Sequence, residues 1–195
     1  MRTAALLVAG LTGIASAQTV GVTIDVDNPV LAPGESTTVT LFASFDDADH
    51  ALAGLGMDLL FDSPIAAPRR HWSGLEYLPP FDGPGPPPGS VTDTSIDLII
   101  AGQLQFPPAM IYADPSNPIA FWRATFTAPL DAGRFYEVDL VTDVLRFDVY
   151  VAPDSSTSER RMDVLVEGEA TIAVVPAPGT AAVLALGLAA TRRRR

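Results

Sequence analysis

Apolar and polar residues alternate with a period of two along most of the chain. Val20, Val22, Ile24 and Val26 recur at every second position, as do Val39, Leu41, Ala43 and Phe45, and then Leu55, Met57, Leu59 and Phe61. Successive side chains of a strand point to opposite faces, so each run predicts a strand with one face toward a core. Ile96, Leu98 and Ile100 predict a fourth strand. Ala120, Trp122, Ala124 and Phe126 line one side of a fifth, within 119–127, and Tyr136, Val138 and Leu140 form a sixth. Leu145, Phe147, Val149 and Val151 come next, then Met162, Val164 and Val166, and finally Ala170, Ile172 and Val174. No stretch carries the 3.6-residue repeat of an amphipathic helix, and Pro, Gly, Asn and Asp punctuate the runs. About nine short strands between Val20 and Val175 predict an all-β fold, an antiparallel β-sandwich.

Three connections are distinct in composition. Residues 28–35, with two prolines and Gly34, read as a turn between the first two strands. Residues 79–89 contain Gly83-Pro-Gly-Pro-Pro-Pro-Gly89 and read as a stiff surface excursion bridging the sheets rather than a polyproline ligand. Residues 154–161, with a Ser/Thr-rich tip, read as a polar hairpin loop.

Both ends depart from the alternation. Arg2 precedes an apolar stretch over 4–14, and Ala15-Ser16-Ala17 then offers small residues at the two positions that signal peptidase must accommodate. This order predicts a signal peptide over 1–17, with Gln18 as the new N-terminus. The alternative, a short buried helix, does not account for the order of its three parts. At the other end, Pro176 and Pro178 stop regular structure, because each lacks an amide proton and constrains the residue before it. The small, apolar stretch 180–190 follows, then Thr191 and Arg192, Arg193, Arg194 and Arg195. As a helix, residues 179–191 would reach about 20 Å at 1.5 Å per residue, whereas a comfortable span takes about 20 residues. The expectation is a short membrane anchor whose arginines hold that end in the cytoplasm. The chain thus divides into a signal peptide (1–17), a sandwich domain (18–174) and a tail (175–195).

The tail resembles the PEP-CTERM sorting signal, a Val-Pro-Glu-Pro-like motif followed by a short transmembrane helix and an Arg cluster. The matching residues are Val175, Pro176, Ala177 and Pro178, then Ala181 to Ala190, then Arg192 to Arg195. Ala177 stands where that family usually has Glu, and the apolar helix is shorter than usual. The resemblance implies processing by an exosortase-type enzyme after transient anchoring in the inner membrane. It also implies delivery to the cell surface or extracellular matrix of a Gram-negative bacterium. The body resembles cohesin-like, Ig-like and carbohydrate-binding-module-like sandwiches. The resemblance lies in 31–35 and 37–45, in the strand Leu-Gly-Met-Asp-Leu-Leu-Phe-Asp over 55–62, and in 117–127 and 168–174. It implies a sandwich and carries over no partner-binding residue, because function does not follow fold.

Charge sharpens this division. The net charge is -11, yet every one of the 23 acids lies between Asp25 and Glu169, where only seven arginines and no lysine oppose them. A body near -16 repels nucleic acid and anionic lipid. The absence of cysteine excludes disulfides, thiolate metal sites and a cysteine nucleophile.

Candidate chemistry is sparse. His50 and His71 are the only histidines, with no zinc-binding spacing, no Gly-x-Ser-x-Gly elbow and no phosphate loop. The expectation is a protein without catalytic activity. A carboxylate pair for glycoside hydrolysis stays open only because 23 acids always offer one, so a secreted hydrolase is the lesser alternative. Asp46, Asp47 and Asp49 share one tight loop after Phe45, and hard oxygen ligands on a loop are what calcium takes. Their spacing is not that of an EF-hand, and a solvated acidic loop is the favoured reading, with calcium the alternative. No other cofactor is expected. Trp72 and Tyr77 fall in an irregular region after the third strand, where flat rings can stack on sugar faces, although packing is the favoured reading of Trp72; Trp122 sits in an alternating strand and reads more strongly as core. Beside a sorted surface protein, the second expectation is therefore a carbohydrate- or protein-binding module, its partner a polysaccharide or another surface protein.

Overall fold

Strands form where branched and aromatic residues alternate with small polar ones, because that pattern suits a pleated surface with one wet face. The computed structural model describes residues 19–45, 51–81, 88–103, 118–130, 135–151, 155–162 and 165–176. Its first sheet is built on β1 (Val20–Val26) and β3 (Ser36–Phe45), antiparallel in unbroken register from Val20↔Phe45 to Val26↔Val39. Thr37, Val39, Leu41 and Ala43 point inward from β3. β8 (Ile119–Thr127) pairs with the other edge of β3, β5 (Trp72–Tyr77) pairs with β8, and β11 (Leu165–Val166) runs parallel to β1.

The second sheet is built on β4 (Ala51–Asp62) and the 15-residue β9 (Tyr136–Tyr150), antiparallel along nearly their whole length. β12 (Glu169–Val174) pairs with the first half of β9 and β10 (Ser158–Arg160) with its end. β2 (Val30–Leu31) lies parallel to β12, β7 (Ser95–Gly102) pairs with β4, and β6 (Ser90–Val91) pairs with β7. The strand orders are β11-β1-β3-β8-β5 and β2-β12-β9-β4-β7-β6, with β10 beside β9. The fold is an all-β sandwich, antiparallel except at the two-residue pairings of β1 with β11 and β2 with β12.

Aromatic contacts tie the layers together near both ends. Phe45 of the first sheet meets Phe147 of the second edge-on at 6.5 Å. Toward the opposite end, Trp72 of the first sheet packs between Phe61 of the second, at 5.7 Å, and Phe126, at 5.2 Å. Such pairs add to the burial of apolar area that holds the two sheets face to face.

Several expected elements take a different form. Twelve strands, not about nine, occur among the described residues. The expected strands at 136–140 and 145–151 are one strand, β9. Thr142 continues the inward row where the sequence suggested a break, its hydroxyl accepting the Gly168 amide at 2.8 Å. Leu145 is an extra residue at a bulge, since Gly56 faces Arg146 and Met57 faces Val144, and it is exposed. β7 buries Ile96, Ile99 and Ala101, not the row Ile96, Leu98 and Ile100. There, Asp97 and Leu98 together oppose Asp58, and Leu98 takes a left-handed φ of 59° with its amide bound to Asp58 Oδ1 at 2.8 Å. One inserted residue reverses which side of the pleat faces the core. The polar loop at 154–161 contains β10, and the turn at 28–35 contains β2.

Candidate functional site

The chain leaves the sandwich beside the start of β9. Val174 is buried and pairs with Tyr136, and the Val175 amide donates to the Leu31 carbonyl at 2.8 Å. Pro176 follows. Without an amide proton it cannot extend the ladder, so regular structure stops there for a chemical reason. Of the expected sorting residues, Val175 and Pro176 are half-buried at this end, while Ala177, Pro178 and Arg192 to Arg195 lie outside the described residues.

A recess of about 450 Å³ opens at the same end, lined by residues that include Pro64, Ile65, Ala66, His71, Phe135 and Tyr136. His71 ends a single 3-10 turn, Pro68–His71, entered through Ala67 in a left-handed conformation (φ 51°). The His71 Nδ1–H donates to the Thr127 carbonyl at 2.9 Å and the ring packs on Phe126. That bond fixes the tautomer and leaves a structural, main-chain-bound imidazole.

Trp72 begins β5 rather than an irregular segment, and only 6% of it is exposed. Wedged between Phe61 and Phe126, its ring faces the core, not a ligand. Its Nε1–H has no hydrogen-bond partner among the described residues. Tyr77 closes β5 half-buried, and its hydroxyl oxygen accepts the Ile100 amide at 3.0 Å, joining the edge of the first sheet to β7 of the second. Burial pushes the Tyr77 hydroxyl above its ordinary pKa of 10.0, against the opposing pull of that amide bond. Trp72 thus serves the core and Tyr77 the inter-sheet edge.

The outer faces of the sheets are polar in different ways. On the first, Thr38, Thr125 and the Arg123–Glu76 ion pair border a shallow recess of about 360 Å³. On the second, Asp58 stands directly opposite Asp143 and Asp62 opposite Asp139, and Thr171 donates to Asp139 Oδ1 at 2.8 Å. Among the described residues no group of three or more His, Cys, Asp or Glu could hold a metal ion. Asp46, Asp47, Asp49 and His50 lie outside the described residues, as do Ala15, Ala17 and Gln18. Among the described residues no helix is long and apolar enough to cross a membrane.

No protein-family model matches the chain, and no curated protein sequence matches it. Among solved structures it is similar to the seventh ScaB type I cohesin of Pseudobacteroides cellulosolvens, at 14% identity over 82% of this chain and 95% of that one, with a TM-score of 0.46. It is also similar to a cohesin module from a family 33 glycoside hydrolase of Clostridium perfringens (10% identity, 81% and 98%, TM-score 0.45). A third is a chain of a type I cohesin–dockerin complex from Clostridium thermocellum (12% identity, 80% and 98%, TM-score 0.43).

Proposed function

We propose that this chain is an exported, non-catalytic β-sandwich, carried out by its N-terminal signal and sorted by its C-terminal tail to the cell surface or extracellular matrix. Signal peptidase and an exosortase-type enzyme are its processing partners, and the inner membrane is its transient anchor. One observation carries this reading: the boundaries of the fold coincide with those of the two address segments. Among the described residues the last core side chain is Val174, and the tail motif begins at the next residue, so cleavage after Pro176 leaves every described core residue in place. At the other end β1 opens at Val20, two residues past Gln18. A chain cut at both sites keeps every strand of the described residues.

The test is fractionation in an exporting Gram-negative host. Removal of residues 177–195 keeps the Val175–Leu31 hydrogen bond and converts a membrane-associated precursor into a soluble exported domain. Identical fractionation of the two forms overturns the reading. A second reading, a surface module that binds another protein, is favoured by Leu60, Leu98 and Ile100, large apolar side chains 40–55% exposed on the neighbouring strands β4 and β7. Burial of Trp72 favours a protein over a sugar in that reading, and such binding would survive loss of the tail.

A further inference from the structure

We propose that the end of the sandwich from which the tail departs lies against the lipid surface while the tail is anchored, with Val30, Leu130 and Phe135 entering the interface. This rests on the membrane reading of the tail.

Chain reach sets the distance. Four residue steps separate Pro176, the end of the described fold, from Thr180, where the apolar stretch begins. Fully extended, they span at most about 14 Å. The headgroup layer on each side of the hydrocarbon is itself roughly 5–8 Å thick. An inserted tail therefore holds this end of the domain within about 9 Å of the headgroups.

Among its charged groups the domain presents three large exposed apolar side chains there. Leu130 is 83% exposed, Phe135 53% and Val30 51%. All three surround the exit. Val30 pairs with Ala173, and Phe135 precedes Tyr136, the partner of Val174. Leu130 lies beside Gly34, whose amide donates to the Ala128 carbonyl at 3.1 Å. Phe135 also lines the recess with Pro64, Ile65 and Ala66. Exposed leucine and phenylalanine ringing a short tether fit the boundary between headgroups and acyl chains.

Charge does not drive the contact. Arg69, Arg70 and His71 are at this end, but so are Glu35, Asp62, Asp93 and Glu137, with Arg69 3.6 Å from Asp93 and the Glu35 carboxylate accepting the Ala32 amide. With no net positive patch, apolar insertion has to supply the attraction, and added salt should not weaken it.

The absence of cysteine makes the experiment direct. The full-length chain carrying Leu130→Cys, labelled with an environment-sensitive NBD fluorophore, is reconstituted into vesicles of phosphatidylethanolamine and phosphatidylglycerol. Ser156→Cys, beyond the far end of β9 and roughly 45 Å away at ~3.3 Å per residue, is the reference. Flotation reports anchoring independently of the fluorophore. The expected result is flotation of both, with blue-shifted emission and quenching by doxyl-labelled lipid at position 130 only, unchanged at high salt. Flotation with water-like emission at both positions overturns the proposal and leaves the tail reading standing. Quenching at both positions, quenching that fades with salt, or a blue shift without lipid quenching (cover by a second copy or another protein) also overturns it. Failure to float overturns the tail reading and the proposal with it.

Discussion

Exchanging each tryptophan for phenylalanine separates packing from hydrogen bonding in this core. Trp72 is 6% exposed and Trp122 fully buried, but Trp122 Nε1–H donates to the Pro88 carbonyl at 2.6 Å whereas Trp72 Nε1–H has no partner among the described residues. Shrinking an indole to a phenyl ring leaves ~40 Å³, about 1 kcal/mol of cavity cost, with a similar loss of transfer free energy, at either site. At position 122 the change also strands the Pro88 carbonyl, adding roughly 1–3 kcal/mol. At position 72 it removes an unsatisfied buried donor, which offsets the packing loss by roughly the same 1–3 kcal/mol. Trp122→Phe should therefore lose about 3–5 kcal/mol and Trp72→Phe no more than about 1 kcal/mol. Urea unfolding of residues 18–176, followed by far-ultraviolet circular dichroism with equal slopes for all variants, measures both. Equal losses at the two sites would refute the assignment of Trp72 as an unsatisfied donor.

Two further outcomes follow from the edge of the second sheet. Because the folded-state pKa of Tyr77 is raised, the folded chain keeps a proton that the unfolded chain releases above pH 10. That contribution is fully present below pH 10 and is lost as pH rises beyond it. Melting temperature should consequently fall more steeply above pH 10 in the wild type than in Tyr77→Phe, which at neutral pH should lose about 1 kcal/mol with the Ile100 bond; parallel alkaline profiles would contradict this. Leu98 holds a left-handed φ of 59° while 55% exposed. Leu98→Asn should keep the bulge and stabilise by up to about 1 kcal/mol in the same urea assay, since Asn tolerates that conformation and little packing is lost.

The alternation of side chains made the sandwich legible because burial on one face imposes period two wherever the pairing is regular. β1 and β3 pair with each other in unbroken register, and the rows read from the sequence there are the rows that face the core. Bulges are where this fails. In β7 and β9 one extra residue moves Leu98 and Leu145 to solvent, and nothing in an apolar run marks which residue will be extra. The aromatic after a 3-10 turn misleads in another way. Trp72 follows Pro68, Arg69, Arg70 and His71, a polar neighbourhood that suggests surface, yet the turn delivers its ring into the gap between Phe61 and Phe126. Tyr77 acts through its hydroxyl across the sheets, a contact that only the pairing of the edges creates.

The tail-exit end was illegible for a related reason. Val30, Leu130 and Phe135 sit in a turn-like stretch and beside a loop, about a hundred residues apart in sequence, and none belongs to an alternating row. Two pairings gather them: Ala173 with Val30, and Val174 with Tyr136. The same register separates the two ends of the sandwich. Val20 lies opposite Phe45, which meets Phe147 edge-on, eleven residues along β9 from Tyr136 and so roughly 35 Å distant at ~3.3 Å per residue. A chain freed at Gln18 therefore has its new terminus remote from the membrane that the tail would hold close. The net charge of the body describes neither end. An acidic average is compatible with an apolar rim of three side chains, because insertion depends on what lies within reach of the anchor and not on the sum over the surface.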